Sequence, residues 1–277
     1  MHQANKANKP KKITSWHVIG ALLSHFRRAA RITQPELAER VGLHEDTIGS
    51  IEQGRRPLKL DLAETLDEIL DTKGALAVAV AKVPEREKLP AFVQDLVEHE
   101  EAALTLLSYQ NQVVPGLLQT EAYAQATFDS LYPPLDEERA EVWLSGRISR
   151  QKLLERKKPL PMLNFILEEV VLHRPVGGPE ILRAQLRHLR SCAELPFLGL
   201  QIMPTSRHTH ASLDGPLILL ETPDHEHLAY IEAQRISFLV DDPDEVSAYQ
   251  QKYGMLRSQA LTPEETKSLL DDLLGES

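Results

Sequence analysis

Apolar residues recur at helical spacing in the first part of the chain and gather into strand-length runs only later, so the pattern predicts two architectures in succession. Val18, Ile19, Leu22, Leu23 and Phe26 form the stripe of a helix running from about Ser15 to Ala30. Thr33 and Glu36 make a capping box, Pro35 falls in the first turn where its missing N–H is harmless, and Leu37, Ala38 and Val41 repeat until Gly42 breaks the run. His44 stands where it can cap a further helix whose inner face carries Ile48 and Ile51, and Gln53-Gly54 ends it. Leu62, Leu66 and Ile69 mark a fourth helix over Leu60 to Leu70, followed by a shorter fifth from Gly74 to Ala81. Lys82 to Lys88 is charged, contains Pro84, and reads as a linker.

From Leu89 the pattern changes. A helix with Phe92, Val93, Leu96 and Val97 precedes a strand-like run, Leu104 to Tyr109. Pro115-Gly116 signals a turn and Gln119-Thr120-Glu121 opens a helix; longer helices are expected over Asp136 to Arg156 and Glu180 to Glu194. Met162 to Leu167, Leu198 to Met203, Pro216 to Leu220, Leu228 to Ile231 and Ile236 to Val240 are short apolar runs, the later ones arguing for an antiparallel sheet. Helices over Pro243 to Ala260 and Pro263 to Leu274 close the chain. The expected fold is an all-α helix-turn-helix head (15–81), a linker (82–88), and an α+β domain with a mostly antiparallel sheet (89–277). Residues 1–14, with Lys6, Lys9, Lys11 and Lys12, read as a basic flexible tail or as an arm reaching DNA.

Two short helices joined by a glycine-containing turn form the unit whose second helix lies in the DNA major groove. Charge bears on that reading. The chain carries a net charge of −10, yet residues 1–73 hold 12 of its 31 basic and 10 of its 41 acidic side chains, so the excess of acid lies beyond the head. A weakly basic head before an acidic body fits a DNA binder of low non-specific adhesion, and an ordinary acidic domain explains the body equally well. No apolar run approaches the ~18 residues of a membrane span, and the start lacks the apolar segment of a signal peptide. One cysteine, Cys192, excludes an intramolecular disulfide and a cysteine-rich metal cluster, and suits the cytoplasm, where a DNA-bound protein is nucleoid-associated.

Gln34, Glu36-Leu37-Ala38, Val41-Gly42-Leu43, Ile48, Ile51-Glu52 and Gly54 together resemble the five-helix head of phage-repressor and xenobiotic-response-element regulators. The second half also carries a resemblance. VVPGLLQTEAYAQATF (Val113 to Phe128), Arg147, Arg150-Gln151, EVVLHRPVGG (Glu169 to Gly178), QLRHL (Gln185 to Leu189) and QIMP (Gln201 to Pro204) are similar to the C-terminal domain of a large actinobacterial group of unassigned chemistry. That likeness implies regulators, many paired with a small protein encoded by a neighbouring gene in an antitoxin-like or developmental arrangement. It supplies no ligand or catalytic residue for this half.

The repressor resemblance implies that Gln34 meets a backbone phosphate and braces the reading helix, and that His44, Glu45, Asp46, Thr47 and Ser50 face base edges. Arg55, Arg56 and Lys59, in the loop after that helix, are the candidate phosphate clamps; Arg27, Arg28 and Arg31 either complement the first helix's dipole or touch phosphate. Glu45 and Asp46 are an acidic departure. They either stabilise a helix N-terminus by about 0.3–1 kcal/mol or accept from cytosine N4 for about 1–3 kcal/mol of discrimination. Pro115, Gly116, Leu117, Leu118, Gln119, Thr120 and Glu121 are the candidate partner-binding surface, with core packing the alternative. His208, His210, Asp214, His225 and His227 are of metal-ligand type but read as exposed loop residues, and Cys192 has no fixed histidine partner. Neither a phosphate-binding glycine loop nor a nucleophile elbow occurs, so no enzyme, cofactor or metal is expected. The expected protein is a dimeric regulator of double-stranded DNA on a palindromic operator, controlled through its C-terminal domain by a small partner or a signal. The alternative is an antitoxin-like factor that autoregulates its own gene pair.

Overall fold

The computed structural model describes residues 13–84, 87, 89, 91–234 and 236–275. The expected basic tail therefore lies outside the described residues up to position 12, as do linker positions 85, 86 and 88. The chain divides into two compact units, Met1–Lys88 and Leu89–Ser277, each with its own core.

The described part of the first unit is all helical: α1 (Ser15–Ala29), α2 (Gln34–Arg40), α3 (Glu45–Glu52), α4 (Leu60–Leu70) and α5 (Ala75–Ala81). Ile19, Leu23, Leu37, Ile48, Ile51, Leu66 and Leu76, the set a 3.6-residue period turns inward, fill its core together with Leu58 from the loop before α4. Thr33 and Glu36 complete the capping box of α2. His44 occupies the N-cap position of α3, but its side chain makes no capping bond, so the acidic first turn is what meets the dipole there. Gly20 is a packing requirement: a Cβ there would sit 2.3 Å from the Ile51 carbonyl oxygen and 2.5 Å from that of Glu52, so α1 crosses α3 backbone to backbone. Asp67 on α4, buried, accepts from the Leu76 and Ala77 amides at 2.9 Å each and so caps α5 from outside it.

The second unit is α+β. Its six-stranded sheet comprises β1 (Thr105–Gln110), β2 (Met162–Glu168), β3 (Leu198–Met203), β4 (Leu217–Glu221), β5 (His227–Ala233) and β6 (Ile236–Val240), in the order β3-β2-β1-β4-β5-β6. The pairings β1–β4, β4–β5 and β5–β6 are antiparallel, whereas β1–β2 and β2–β3 are parallel. Most of the pairings are thus antiparallel, as expected, and the two parallel ones make the sheet mixed. Leu198 to Met203, read as part of the antiparallel series, belongs to the parallel half because helices intervene on both sides of β2 and carry the chain back over the sheet.

Alternation along the strands sorts two cores. Leu106, Leu163, Phe165, Leu167, Leu200 and Ile202 face α7 (Glu121–Asp129), α10 (Pro179–Cys192) and α12 (Pro263–Leu274); Tyr109, Ile166, Met203, Leu217 and Leu219 face α11 (Pro243–Gln259) through Val246, Tyr253 and Leu256. The remaining helices are α6 (Ala91–Glu100), α8 (Glu137–Arg150) and α9 (Glu169–His173). The long helix expected over Asp136 to Arg156 ends at Arg150 and tightens into a 3₁₀ segment, Gln151–Glu155.

Candidate nucleic-acid interface

In the head, α2 and α3 are joined by a turn at Val41 to His44, with Gly42 left-handed at φ 67° and the Leu43 amide bonded back to the Ala38 carbonyl at 2.9 Å. What fixes α3 is its last residue. Glu52 accepts from Arg27 Nε at 2.5 Å, from Arg27 Nη2 at 3.0 Å and from Gln34 Nε2 at 2.6 Å, while Arg27 Nη1 holds the Ile32 carbonyl at 2.8 Å. One carboxylate therefore ties α1, the start of α2 and the end of α3. Burial alone would raise the Glu52 carboxyl, but the bonds from Arg27 and Gln34 outweigh it and hold it below the usual carboxylate range.

This node corrects one expectation and sharpens another. Arg27 is 7% exposed and committed to Glu52, so of the three arginines near the end of α1 only Arg28 and Arg31 remain at the surface. Gln34 braces α3, as the resemblance implies, but its amide nitrogen is occupied by Glu52.

Around that clamp the other nominated residues lie on the outside. His44, Glu45 and Asp46 are exposed at the N-terminal end of α3, and Thr47 and Ser50 are half-buried along it. Arg55 and Arg56 follow its C-terminal end, exposed, with their amides bonded to the Ser50 carbonyl at 2.9 and 3.2 Å. Lys59 is exposed at the N-cap position of α4. Gly54 shapes this loop: it is left-handed at φ 66°, and a Cβ would meet the backbone of His17 at 2.7 Å.

In the second unit the residues of the family-like pattern converge on one segment. Gln119 Nε2 donates to the Val114 carbonyl at 2.7 Å; Gln151 Nε2 donates to the carbonyls of Gly116 and Gln119 at 3.1 and 2.7 Å. Gln185 accepts from the Thr120 amide at 2.7 Å and donates to the Leu118 carbonyl at 2.6 Å. The expected partner-binding surface is corrected accordingly. Leu117, Leu118 and Gln119 are interior, at 3%, 0% and 2% exposure, because the side-chain amides of Gln151 and Gln185 satisfy a backbone that would otherwise need water. Pro115, Gly116 and Thr120 are half-buried, and Glu121 alone of the seven is fully at the surface.

Beside this segment α8 brings two arginines inward. Arg150 grips Glu100 with Nε at 2.7 Å and Nη2 at 2.9 Å. Arg147 donates Nη1 to Gln119 Oε1 at 2.9 Å and lies over the Phe128 ring, 4.2 Å from its centroid. Burial, with Arg150 adding repulsion, pulls the Arg147 guanidinium down to about 10.

The histidines do not assemble. His208 and His225 are exposed, and His225 pairs with Glu221 at 2.8 Å. His227 opens β5 rather than lying in a loop. His210, read as an exposed loop residue, has a side chain only 8% exposed, set against the Tyr109 ring with Nε2 3.3 Å from Glu168, a carboxylate that also receives the Tyr109 hydroxyl at 2.7 Å. Among the described residues no group of three or more His, Cys, Asp or Glu is placed to hold a metal ion. Cys192 does have a histidine neighbour, His188 at 3.5 Å one turn earlier on α10, but burial pushes the thiol up to about 11. Among the described residues no helix is long and apolar enough to cross a membrane.

Arg27–Glu52 and Arg150–Glu100 are the ion pairs that sequence reading missed. Each joins residues far apart in the chain, and no local period marks such a pair.

Residues 18–79 match the model of a helix-turn-helix domain, and residues 93–272 match the model of a domain of unknown function, DUF5753. Neither the curated proteins nor the solved structures contain a match to the chain. The helix-turn-helix domain points to DNA-binding regulation.

Proposed function

The chain belongs to the DUF5753 family and carries a helix-turn-helix domain ahead of that region, and from this premise we propose that it is a sequence-specific transcriptional regulator. Residues 15–81 are its repressor-type DNA-binding head, of the xenobiotic-response-element kind, and residues 89–277 receive the controlling partner or signal. The observation that carries the reading is the Glu52 node: a short helix locked at its C-terminal end, with exposed polar residues at its N-terminal end and two exposed arginines just past it. Helix-turn-helix recognition needs that geometry, because base edges are read by the first residues of the reading helix while flanking cations meet the phosphates.

His44, Glu45, Asp46, Thr47 and Ser50 then face the bases. Arg55, Arg56 and Lys59 face the phosphates, with the N-terminal end of α2 at Gln34. One head offers few base contacts, so two act on a palindromic site with half-sites about 34–36 Å apart. The carboxylates of Glu45 and Asp46 favour C·G pairs beneath α3. Such a regulator works in the cytoplasm, on the nucleoid.

Genome-wide mapping of DNA bound by the native chain, followed by footprinting of the recovered sites, tests the proposal. The expected result is a small set of palindromic sites protected in two adjacent major grooves. Uniform retention of all DNA, or none, would overturn it. A site confined to the chain's own promoter, with one small protein co-purifying, would replace it by the antitoxin-like alternative.

A further inference from the structure

A cleft of about 290 Å³ opens within the C-terminal unit, close to the lower end of the size range of small-molecule sites. Its walls are mainly apolar, with Val93, Leu117, Phe128, Trp143 and Phe165 among them, and both α8 arginines reach it. The two arginines are not equivalent. Arg150 is satisfied by the two-pronged bond to Glu100. Among the described residues Arg147 makes one hydrogen bond, to Gln119, and it stacks on Phe128. Among the described residues no buried side-chain nitrogen lacks a partner, so the Arg147 nitrogens not bonded to Gln119 keep access to open volume, and the cleft is the volume that Arg147 lines.

A guanidinium presenting donors into a mostly apolar cleft is a matched site for one planar anion, since Arg pairs with carboxylate through two parallel N–H···O bonds. The charge on the walls limits what that anion can be. Glu232, on β5, also lines the cleft, with Oε2 accepting from the Tyr230 hydroxyl at 3.2 Å. A phosphate dianion would meet about twice the repulsion from that carboxylate that a monoanion meets at the same place.

We infer that this cleft binds a small carboxylate with an apolar body, its carboxylate on the free edge of Arg147 and its body against Trp143, Phe128 and Phe165. The inference rests on the reading of this unit as the receiver of a signal and names the class of signal. It also gives the 113–121 segment a role: Gln151 and Gln185 pin a backbone that forms one wall, and Gln119 holds Arg147 in place.

The test uses the full chain carrying Trp16→Phe, which leaves Trp143 as the single tryptophan. Straight-chain carboxylates from hexanoate to decanoate, and phenylacetate, are titrated against it together with their primary amides, following Trp143 emission. The expected result is saturation by at least one carboxylate, with its amide about tenfold or more weaker, since a charge-assisted pair becomes a neutral contact. Arg147→Gln should erase the preference of acid over amide. If that variant does not fold, the acid–amide comparison with Arg147 intact still decides the matter. No saturable change with any carboxylate at millimolar concentration, or an amide binding as well as its acid, overturns the inference. Parallel titration with operator DNA separates the two readings. Carboxylate binding without effect on DNA keeps the cleft assignment and removes its signalling role, and a chain that never binds DNA loses the regulator reading while the carboxylate result stands by itself.

Discussion

Among its described residues each unit holds one two-pronged arginine–glutamate pair, and the two pairs keep different company. In the head, Glu52 takes up Arg27 and Gln34 together, and Arg27 spends its remaining nitrogen on the Ile32 carbonyl. Nothing charged is left over, and the groups available for recognition all lie outside the node. In the C-terminal unit, Glu100 satisfies Arg150 but leaves Arg147 one helical turn away with a single bond and an open cleft before it. The closed node holds a shape whose exposed residues all stand outside it. The open one leaves a cation facing a cleft.

The comparison breaks most sharply at the head. Glu52→Ala strands Arg27 beside a vanished carboxylate and frees Gln34, and it should cost about 3 kcal/mol, the low end for breaking a buried ion pair. Urea unfolding followed by Trp16 emission in a Trp143→Phe background measures it; a loss below ~1 kcal/mol would reduce the node to an ordinary surface pair. Acid reports the same group. Because the folded Glu52 carboxyl lies below its ordinary range, its contribution is complete above about pH 4.3 and drains as pH falls through the lower folded value. Glu52→Ala should therefore flatten the acid limb of the stability profile. Gly20→Ala comes next. Its Cβ would press on the carbonyl oxygens of Ile51 and Glu52, which are backbone atoms and cannot swing aside, so about 2 kcal/mol should be lost in the same assay.

How much of this was legible in the sequence divides along the same line. The helices of the head, the capping box at Thr33 and Glu36, and the inward sets Leu37, Ile48 and Ile51 follow from local period and composition, and they stand where the pattern places them. The surface residues of α3 follow from the same helical wheel. Pairings across sequence distance were not legible. Arg27 looked like any basic residue at a helix end, because its partner is 25 positions away. Leu117, Leu118 and Gln119 read either as a partner-binding surface after the Pro115-Gly116 turn or as core, and the glutamines that decide for burial stand at 151 and 185. His210 read as exposed for the same reason: a loop sequence says nothing of a strand end such as Glu168 waiting beneath it. The parallel half of the sheet was hidden too, since a strand's apolar run does not state the direction of its neighbour.

The smallest expected effects lie on the DNA face and test whether the closed node in fact serves outward reading. Arg55→Gln with Arg56→Gln should weaken binding about tenfold on every sequence and lower the slope of log K against log salt by about 2, since phosphate contacts are blind to sequence. A loss confined to the preferred operator would make these arginines base readers instead. Glu45→Gln with Asp46→Asn should act in the opposite sense. Removing two exposed carboxylates at the N-terminal end of α3 should relieve repulsion from phosphate, so affinity for unrelated DNA should rise a few-fold, while the preference for C·G pairs falls. A selection from random DNA, run on both proteins at one salt concentration, reads the two effects together. If sequence preference is untouched and only the helix loses stability, Glu45 and Asp46 serve the dipole of α3 alone. Base recognition would then rest on His44, Thr47 and Ser50, and the acid at the tip would be a tax on affinity that the Glu52 clamp makes tolerable by holding α3 in place.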